Sequence, residues 1–218
     1  MNDYLFYGAM TEPIAPMDKE GNIDYELLKA QVQFQLDHKI HAIFVSGLTE
    51  CMVTSVDEQI EMLRETVKTV NGQVPVMGNI CLNRPEDALS TIKAFEEAGA
   101  DAISLINTLT GMAVDVYKKK PILANIVGGL SGPAVRPVAL RMVWQASRAV
   151  NVPVIGMGGI MTGEDAAAFM LCGASAVMVG TANIHDPMAC VNIIDELEKY
   201  CDATGVNAVS ELTGALEV

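Results

Sequence analysis

The sequence predicts an α/β fold of the (β/α) TIM-barrel lineage, and three features of its 218 residues lead to this prediction. Short apolar runs alternate with helical patterns, which is typical of a parallel sheet with right-handed crossovers. Each run is continuously apolar, as expected for strands that are buried on both faces. Two runs, 152–157 and 176–179, end in the glycine-containing turns Gly158-Gly159 and Gly180-Thr181.

Six strand–helix units are expected along the chain. Their strands lie at 8–16, 42–45, 74–78, 102–106, 152–157 and 176–179. Asp24 is expected to cap the first helix, Ser55 with Glu58 to form a capping box on the second, and Thr162 to cap the fifth. The last helix is expected over 187–203.

A glycine-rich excursion at 109–132 interrupts this alternation. Within it, 113–117 and 122–126 have the pattern of a hairpin, and the lysine run 118–120 is interpreted as its solvated turn.

The number of units raises a question of closure, because a closed barrel of this type has eight strands. With six we expect one domain over residues 1–218 that forms an open or strained barrel, or a barrel completed by a second chain. Unpaired parallel edges favour association, so a homo-oligomer is expected.

Composition excludes several classes of function. The formal net charge of −13 argues against a nucleic-acid or anionic-membrane partner. No apolar run has transmembrane length, and the first residues lack the basic region of a signal peptide. Five cysteines without a CxxC pair indicate no disulfide framework, and three scattered histidines indicate no metal site. We therefore expect a cytoplasmic protein.

The two glycine turns have a direct chemical interpretation. Glycine lets backbone N–H groups approach an anion closely, and the N-terminus of a following helix adds positive potential. Side by side at the carboxyl ends of neighbouring strands, the turns predict a phosphate site formed by Gly158, Gly159, Gly180 and Thr181. The alternative is tight strand-to-helix packing with no ligand.

The second half of the chain carries a specific set of matching segments, namely 105–112, 121–125, 128–133, 136–141, 156–160 and 179–183. Through them residues 102–218 closely resemble dihydroorotate dehydrogenases, in particular the NAD-linked type 1B catalytic subunits. The resemblance implies FMN as cofactor and the oxidation of dihydroorotate to orotate in pyrimidine biosynthesis. It also implies a separate FAD and iron–sulfur subunit that receives the electrons.

Site residues follow from the same resemblance. The FMN contacts that it implies are Gly129, Ser131, Gly132, Gly158, Gly159, Gly180 and Thr181. Asn107 and Thr108 correspond to contacts with the pyrimidine ring. The family's base cysteine and flavin-contacting lysines have no matched position here, so the catalytic base is unknown and activity is expected to be impaired.

The first half carries a different resemblance. Its matching positions are Pro16, 18–24, 44–50, 57–58, 74–76 and 96–101. Through them residues 8–101 are similar to the dihydrodipicolinate synthase and N-acetylneuraminate lyase family, although that family's carboxylate-binding loop is altered at 47–50. A fusion of two barrel fragments, 1–101 and 102–218, is the hypothesis that accounts for both resemblances.

Three functions remain open at this point. The first is an FMN-binding oxidoreductase of the dihydroorotate dehydrogenase type, and the second is a Schiff-base lyase that acts on a 2-oxo acid. A lyase requires a strand-end lysine, but the second half has lysines only in the 118–120 turn and at Lys199. The third is a non-catalytic chimera that retains the phosphate site.

Some isolated residues are weaker candidates. Cys51 follows the second strand but has no positive neighbour, so a half-buried thiol is preferred over a catalytic one. Glu50 and Asp101 are carboxylates near strand ends that could equally cap helices. His185 follows the Gly180-Thr181 turn and is placed near the phosphate, whereas 38–41 lies at the amino end of the sheet.

Overall fold

Six parallel strands form one sheet in the order in which they occur along the chain. The structure, a computed structural model, describes residues 7–47, 53–80 and 85–218. Its strands are β1 (Met10–Thr11), β2 (Ala42–Val45), β3 (Val76–Asn79), β4 (Ala102–Leu105), β5 (Leu109–Met112), β6 (Val114–Asp115), β7 (Lys120–Pro121), β8 (Val127–Leu130), β9 (Val154–Met157) and β10 (Ala176–Met178). The main sheet has the order β1-β2-β3-β4-β9-β10.

Helices cover the sheet between successive strands. They are α1 (Tyr25–Asp37), α2 (Val56–Val70), α3 (Pro85–Glu97), α4 (Arg136–Ser147), α5 (Gly163–Leu171), α6 (Thr181–His185) and α7 (Ala189–Thr204), with 3₁₀ turns at Pro133–Val135 and Val209–Leu212. None of the helices in the described part of the chain is both long enough and apolar enough to cross a bilayer.

The sheet is open. β1 pairs only with β2, and β10 pairs only with β9, among the residues that the structure describes. The prediction of six parallel strands is confirmed. Of the barrel forms expected from the sequence, the single chain has the open one. The first strand is shorter than predicted, because only Met10–Thr11 of the expected 8–16 pairs with β2.

Helix starts follow the capping signals in the sequence. Asp24 accepts from the Leu27 amide at 3.0 Å. Ser55 and Glu58 form a capping box, in which the Ser55 amide donates to the Glu58 carboxylate at 2.7 Å. This backbone hydrogen bond lowers the pKa of the Glu58 carboxyl because it favours the charged form.

The end of the chain differs from the prediction. The short helix α6 follows Gly180 directly, and α7 begins at Ala189 rather than Pro187. Asp186 accounts for the difference, since its side chain accepts from the Met188 amide at 2.8 Å in the turn between the two helices.

The excursion consists of two antiparallel pairs. β6 pairs with β7 around a turn that contains Lys118 and Lys119, over two residue pairs only. The predicted hairpin is wrong in its second strand, because 122–126 forms no strand and Lys120 of the predicted turn lies in β7. The longer pair, β5 with β8, was not predicted. Three glycines lie in these two strands, and glycine weakens the local signal of a strand.

The core lies between the sheet and its helices, and two phenylalanine rings press directly on strand glycines. A Cβ atom at Gly78 would lie 2.3 Å from Phe95 of α3, and one at Gly156 would lie 2.6 Å from Phe169 of α5. Both rings are fully buried. Glycine at these strand positions therefore lets α3 and α5 pack closely on the sheet.

We expect Phe95→Ala to lower the free energy of unfolding by about 3–5 kcal/mol, because it leaves a cavity above Gly78. Phe34→Ala on α1 is the matched control, since 57% of the Phe34 side chain is already exposed, and we expect a loss of at most about 0.5 kcal/mol. Urea denaturation followed by circular dichroism measures both values. Equal losses in the two variants would contradict this packing.

Candidate functional site

A cleft with a volume of about 180 Å³ opens at the carboxyl edge of the main sheet. Its walls are the segments that follow three neighbouring strands and the end of the excursion. They comprise 106–108 after β4, 130–132 with Val135 after β8, 157–161 after β9 and 178–182 after β10. Parallel pairing of β4, β9 and β10 brings the three strand ends to one edge.

Backbone donors are available in this cleft. The N–H groups of Gly159, Gly180 and Thr181 make no hydrogen bond within the described part of the chain. Unpaired amides grouped at strand ends can bind an anion. Three residues that line the cleft therefore have backbone amides without a partner in the described part of the chain.

Two glycines shape the cleft in opposite ways. Gly159 has φ of +77°, and a Cβ atom there would lie 2.6 Å from the Gly132 carbonyl oxygen. Only glycine fits between these two walls. A Cβ atom at Gly180 would meet no atom within 4 Å, so it would occupy open space at the cleft.

Several amides at the start of α5 are engaged by carboxylates of the chain itself. Asp165 accepts from the Met161 amide at 2.9 Å and from the Thr162 amide at 3.2 Å. The Gly163 amide donates to Glu196 at 2.8 Å. Carboxylates of the chain itself therefore occupy three amides at this terminus, and the α6 helix has only five residues.

Eight of the nine predicted binding residues line the cleft. They are Asn107, Thr108, Ser131, Gly132, Gly158, Gly159, Gly180 and Thr181. Gly129 does not, because it lies in β8 behind Thr108, whose Cγ2 atom would be 2.5 Å from an added Cβ atom. Its predicted contact with a cofactor stays a prediction.

The Asn107 side chain is fixed by a hydrogen bond from the backbone of the next residue. Its side-chain oxygen accepts from the Thr108 amide at 2.7 Å, and its backbone N–H donates to the Ile80 carbonyl at 3.2 Å. These contacts keep the side-chain oxygen on the chain, so the amide nitrogen is the group that remains to contact a ligand.

A buried polar group beneath the cleft was missed by sequence reasoning. Asn79 at the end of β3 donates to the Ser46 carbonyl at 2.9 Å and accepts from the Ser104 hydroxyl at 3.0 Å. All three residues are buried. The only signal in the sequence was a polar residue at the end of an apolar strand, which periodicity alone does not distinguish from a turn residue.

Side chains that could act as a base are not found in the described walls of the cleft, because none of the lining residues is ionisable. Asp101 lies at the opposite edge, where its carboxylate accepts from the Val76 amide at 2.8 Å, so it has a structural role. His185 is exposed in the last turn of α6 and does not line the cleft. Cys51 and Glu50 lie outside the described residues.

The other two histidines lie at the amino edge, as predicted. His41 accepts from the Ala9 amide through Nδ1 at 3.0 Å, and the His38 ring contacts the Phe34 carbonyl. No group of three or more potential metal-ligating side chains occurs in 7–47, 53–80 and 85–218.

Known proteins resemble this chain over most of its length. A family model described as dihydroorotate dehydrogenase matches residues 22–201. The catalytic subunit of dihydroorotate dehydrogenase B (NAD(+)) from Geobacter sulfurreducens is 46% identical over 214 residues, which is 98% of this chain and 67% of that protein. The corresponding subunit from Geotalea uraniireducens is 64% identical over 123 residues, or 56% of this chain and 40% of the relative.

Solved structures resemble the fold. The crystal structure of DHODH from Eimeria tenella in complex with ferulenol superposes with a TM-score of 0.68 at 20% identity, and covers 88% of this chain and 56% of that chain. The open parallel sheet is therefore part of a TIM-barrel-type architecture. The chain spans about two thirds of the length of the Geobacter relative and a smaller share of the Geotalea one. On the family match and these identities, the chain belongs to the dihydroorotate dehydrogenase family.

Proposed function

We propose that this chain is an FMN-binding oxidoreductase of the dihydroorotate dehydrogenase type, which converts dihydroorotate to orotate. Family membership supports the class of reaction. The observation that carries the proposal is the group of unpaired amides at Gly159, Gly180 and Thr181, three residues that line a cleft bounded by family-specific segments.

The residues present fit the phosphate-bearing end of FMN. Gly159 and Gly180 with Thr181 would hold the phosphate through backbone N–H groups, and Ser131 with Gly132 would contact the ribityl chain. The volume of about 180 Å³ is below the roughly 300–1,000 Å³ of small-molecule pockets. The enclosed part therefore suits the phosphate end rather than the whole of FMN. When bound, FMN supplies the acceptor for a hydride.

Substrate binding is assigned to Asn107 and Thr108. Asn107 follows β4 by two residues and lines the cleft, and its backbone N–H donates to the carbonyl of Ile80, the residue after Asn79. Its free amide nitrogen would donate to a substrate carbonyl, which fixes the orientation of the ring. Because the described walls hold no ionisable side chain, these residues orient the substrate but do not remove its proton.

Partners and location are also proposals. Relatives such as the Geobacter protein are named as a catalytic subunit of an NAD(+)-linked enzyme, and a subunit carrying FAD and an iron–sulfur centre would accept the electrons here. The open edges β1 and β10 support a homo-oligomer. The free thiols of Cys172, Cys190 and Cys201 are compatible with the cytoplasm.

The fusion hypothesis remains a proposal. Identity is 64% over 123 residues with the Geotalea relative and 46% over 214 residues with the Geobacter one, so the longer alignment has the lower identity. Against this, one family model runs from residue 22 to 201, across the proposed junction. A profile comparison of residues 8–101 alone with both families tests it, and a better match to dihydroorotate dehydrogenases would reject the fusion.

The alternative functions are less well supported. No lysine lies at the carboxyl end of a main-sheet strand among the described residues, since Lys118 and Lys119 are in the exposed turn and Lys199 is on α7. A Schiff-base lyase therefore lacks its nucleophile in this part of the chain. A non-catalytic chimera with the phosphate site differs from our proposal only in turnover.

We expect the purified protein to bind FMN, and Gly180→Ala to weaken that binding about tenfold, the value of one hydrogen bond to a charged group. The added methyl would enter the open space beside the Gly180 amide without displacing any atom within 4 Å. Quenching of flavin fluorescence measures the affinity, and thermal unfolding verifies that the variant is folded.

Gly205→Asn is the control for this experiment. Gly205 caps α7 in the left-handed conformation, which asparagine tolerates, and it does not line the cleft. Its FMN affinity should equal that of the wild type. A wild-type protein that binds no FMN, or a Gly180→Ala variant with unchanged affinity, would reject the proposed site.

We expect reduction of bound flavin by dihydroorotate to be slow and to accelerate about tenfold per pH unit between pH 7 and 9, because hydroxide must then remove the substrate proton. Stopped-flow absorbance at the flavin band gives the rates. Cys51→Ser should leave the profile unchanged. A plateau with an apparent pKa that disappears in Cys51→Ser would instead identify Cys51 as the base, and no reduction at any pH would favour the non-catalytic chimera.

A further inference from the structure

A half-buried carboxylate holds the loop that carries the Gly159 amide. Asp165 binds the Met161 and Thr162 amides at 2.9 and 3.2 Å, and its own N–H donates to the Thr162 hydroxyl at 3.2 Å. The Asp165 side chain is only 12% exposed. The loop from Gly158 to Thr162 is thus fixed at its far end by one residue of α5.

The same carboxylate reaches across to the other wall of the cleft. Its second oxygen, Oδ1, forms an ion pair with the Arg136 guanidinium, and Arg136 is the first residue of α4. Arg136 follows the Ser131–Gly132 wall by four residues. Its backbone N would be 3.1 Å and its Cβ 2.9 Å from a Cβ atom at Gly159.

The pair therefore connects two walls of the cleft without lining it. Neither Arg136 nor Asp165 is among the lining residues. The Arg136 side chain is 35% and the Asp165 side chain 12% exposed, so the pair is largely buried, and loss of one partner leaves the other charge uncompensated. Backbone donors bind an anion well only if they are held in place beforehand, since otherwise binding must order the loop.

We propose that Arg136 and Asp165 are positioning residues, which preset the Gly159 amide for the phosphate of the bound ligand. The inference rests on the proposed function, because it assumes that the cleft binds a phosphate-bearing flavin. Asp165 orients the loop through its Oδ2 atom, and Arg136 anchors Asp165 to the opposite wall through Oδ1. The two side chains act as one unit, and loss of either releases the loop.

The test compares FMN with riboflavin, which has the same ring system and ribityl chain but no phosphate. The ratio of the dissociation constants of riboflavin and FMN measures the contribution of the phosphate. We expect this ratio to fall about tenfold in Asp165→Asn, because a tenfold change in affinity corresponds to the loss of about one hydrogen bond to a charged group. Riboflavin affinity should change little, since its contacts lie away from Gly159.

Further variants separate positioning from general stability. Arg136→Gln should lower the ratio as Asp165→Asn does, and the double variant should lower it no further, because coupled residues are not additive. Arg136→Lys should restore part of the ratio. This series remains informative if Asp165→Asn does not fold.

Glu65→Gln is the matched control. Glu65 pairs with Lys29 between α2 and α1 at 3.1 Å, and its side chain is 13% exposed, close to the 12% of Asp165. This substitution removes the charge of a comparable carboxylate that does not line the cleft, so we expect the ratio to be retained even where stability falls.

Two outcomes would overturn the inference. The wild type can prefer FMN while the riboflavin-to-FMN ratio of dissociation constants is unchanged or higher in Asp165→Asn and Arg136→Gln. In that case the ion pair contributes only to stability, and the proposed function stands. If the wild type binds FMN and riboflavin equally, the phosphate site itself is wrong, and both proposals fail together.

Discussion

The parallel pairing of β4, β9 and β10 is the constraint on which the site depends. Leu105 pairs with Gly156, and Val177 pairs with the same residue from the other side. Because the three strands run in one direction and in fixed register, the segments that leave them must emerge at one edge. The cleft is therefore a consequence of the sheet. The backbone amides that line it follow strands β9 and β10, and β9 is held in place by Phe169 of α5, which packs on Gly156.

Electrostatics place a second constraint on ligand binding. The chain carries a formal charge of −13, and its field at long range repels a phosphate. Within the cleft the described walls are uncharged, so under our proposal a phosphate would be attracted only at short range, by fixed amide dipoles. Arg136 does not supply it directly, since its charge is compensated by Asp165. Rigid placement of a few N–H groups is therefore more important here than net charge.

The open sheet has consequences beyond the cleft. β1 and β10 each have an unpaired side in the described residues, and the side chains of Met10 and Met178 are 39% and 37% exposed. Exposed parallel edges are uncommon in isolated domains, because their backbone groups can pair with another chain. The relatives of this chain are longer than the matched region, which is consistent with additional barrel elements in those proteins.

The sequence by itself determined the six parallel strands, their order of succession and the glycine turns, because continuous apolar runs and capping residues such as Ser55 and Thr162 are local signals. It also identified the residues that line the cleft, through their resemblance to one family. Only the tertiary structure decided that Gly129 packs behind Thr108, that Asp101 bonds to β3, and that Asn79 joins Ser46 and Ser104. It likewise decided that Asp165 occupies the helix terminus predicted to bind phosphate. Each of these contacts joins residues that are far apart in the sequence or that share one hydrogen-bond donor. Local sequence patterns do not show which of several possible partners a residue will contact.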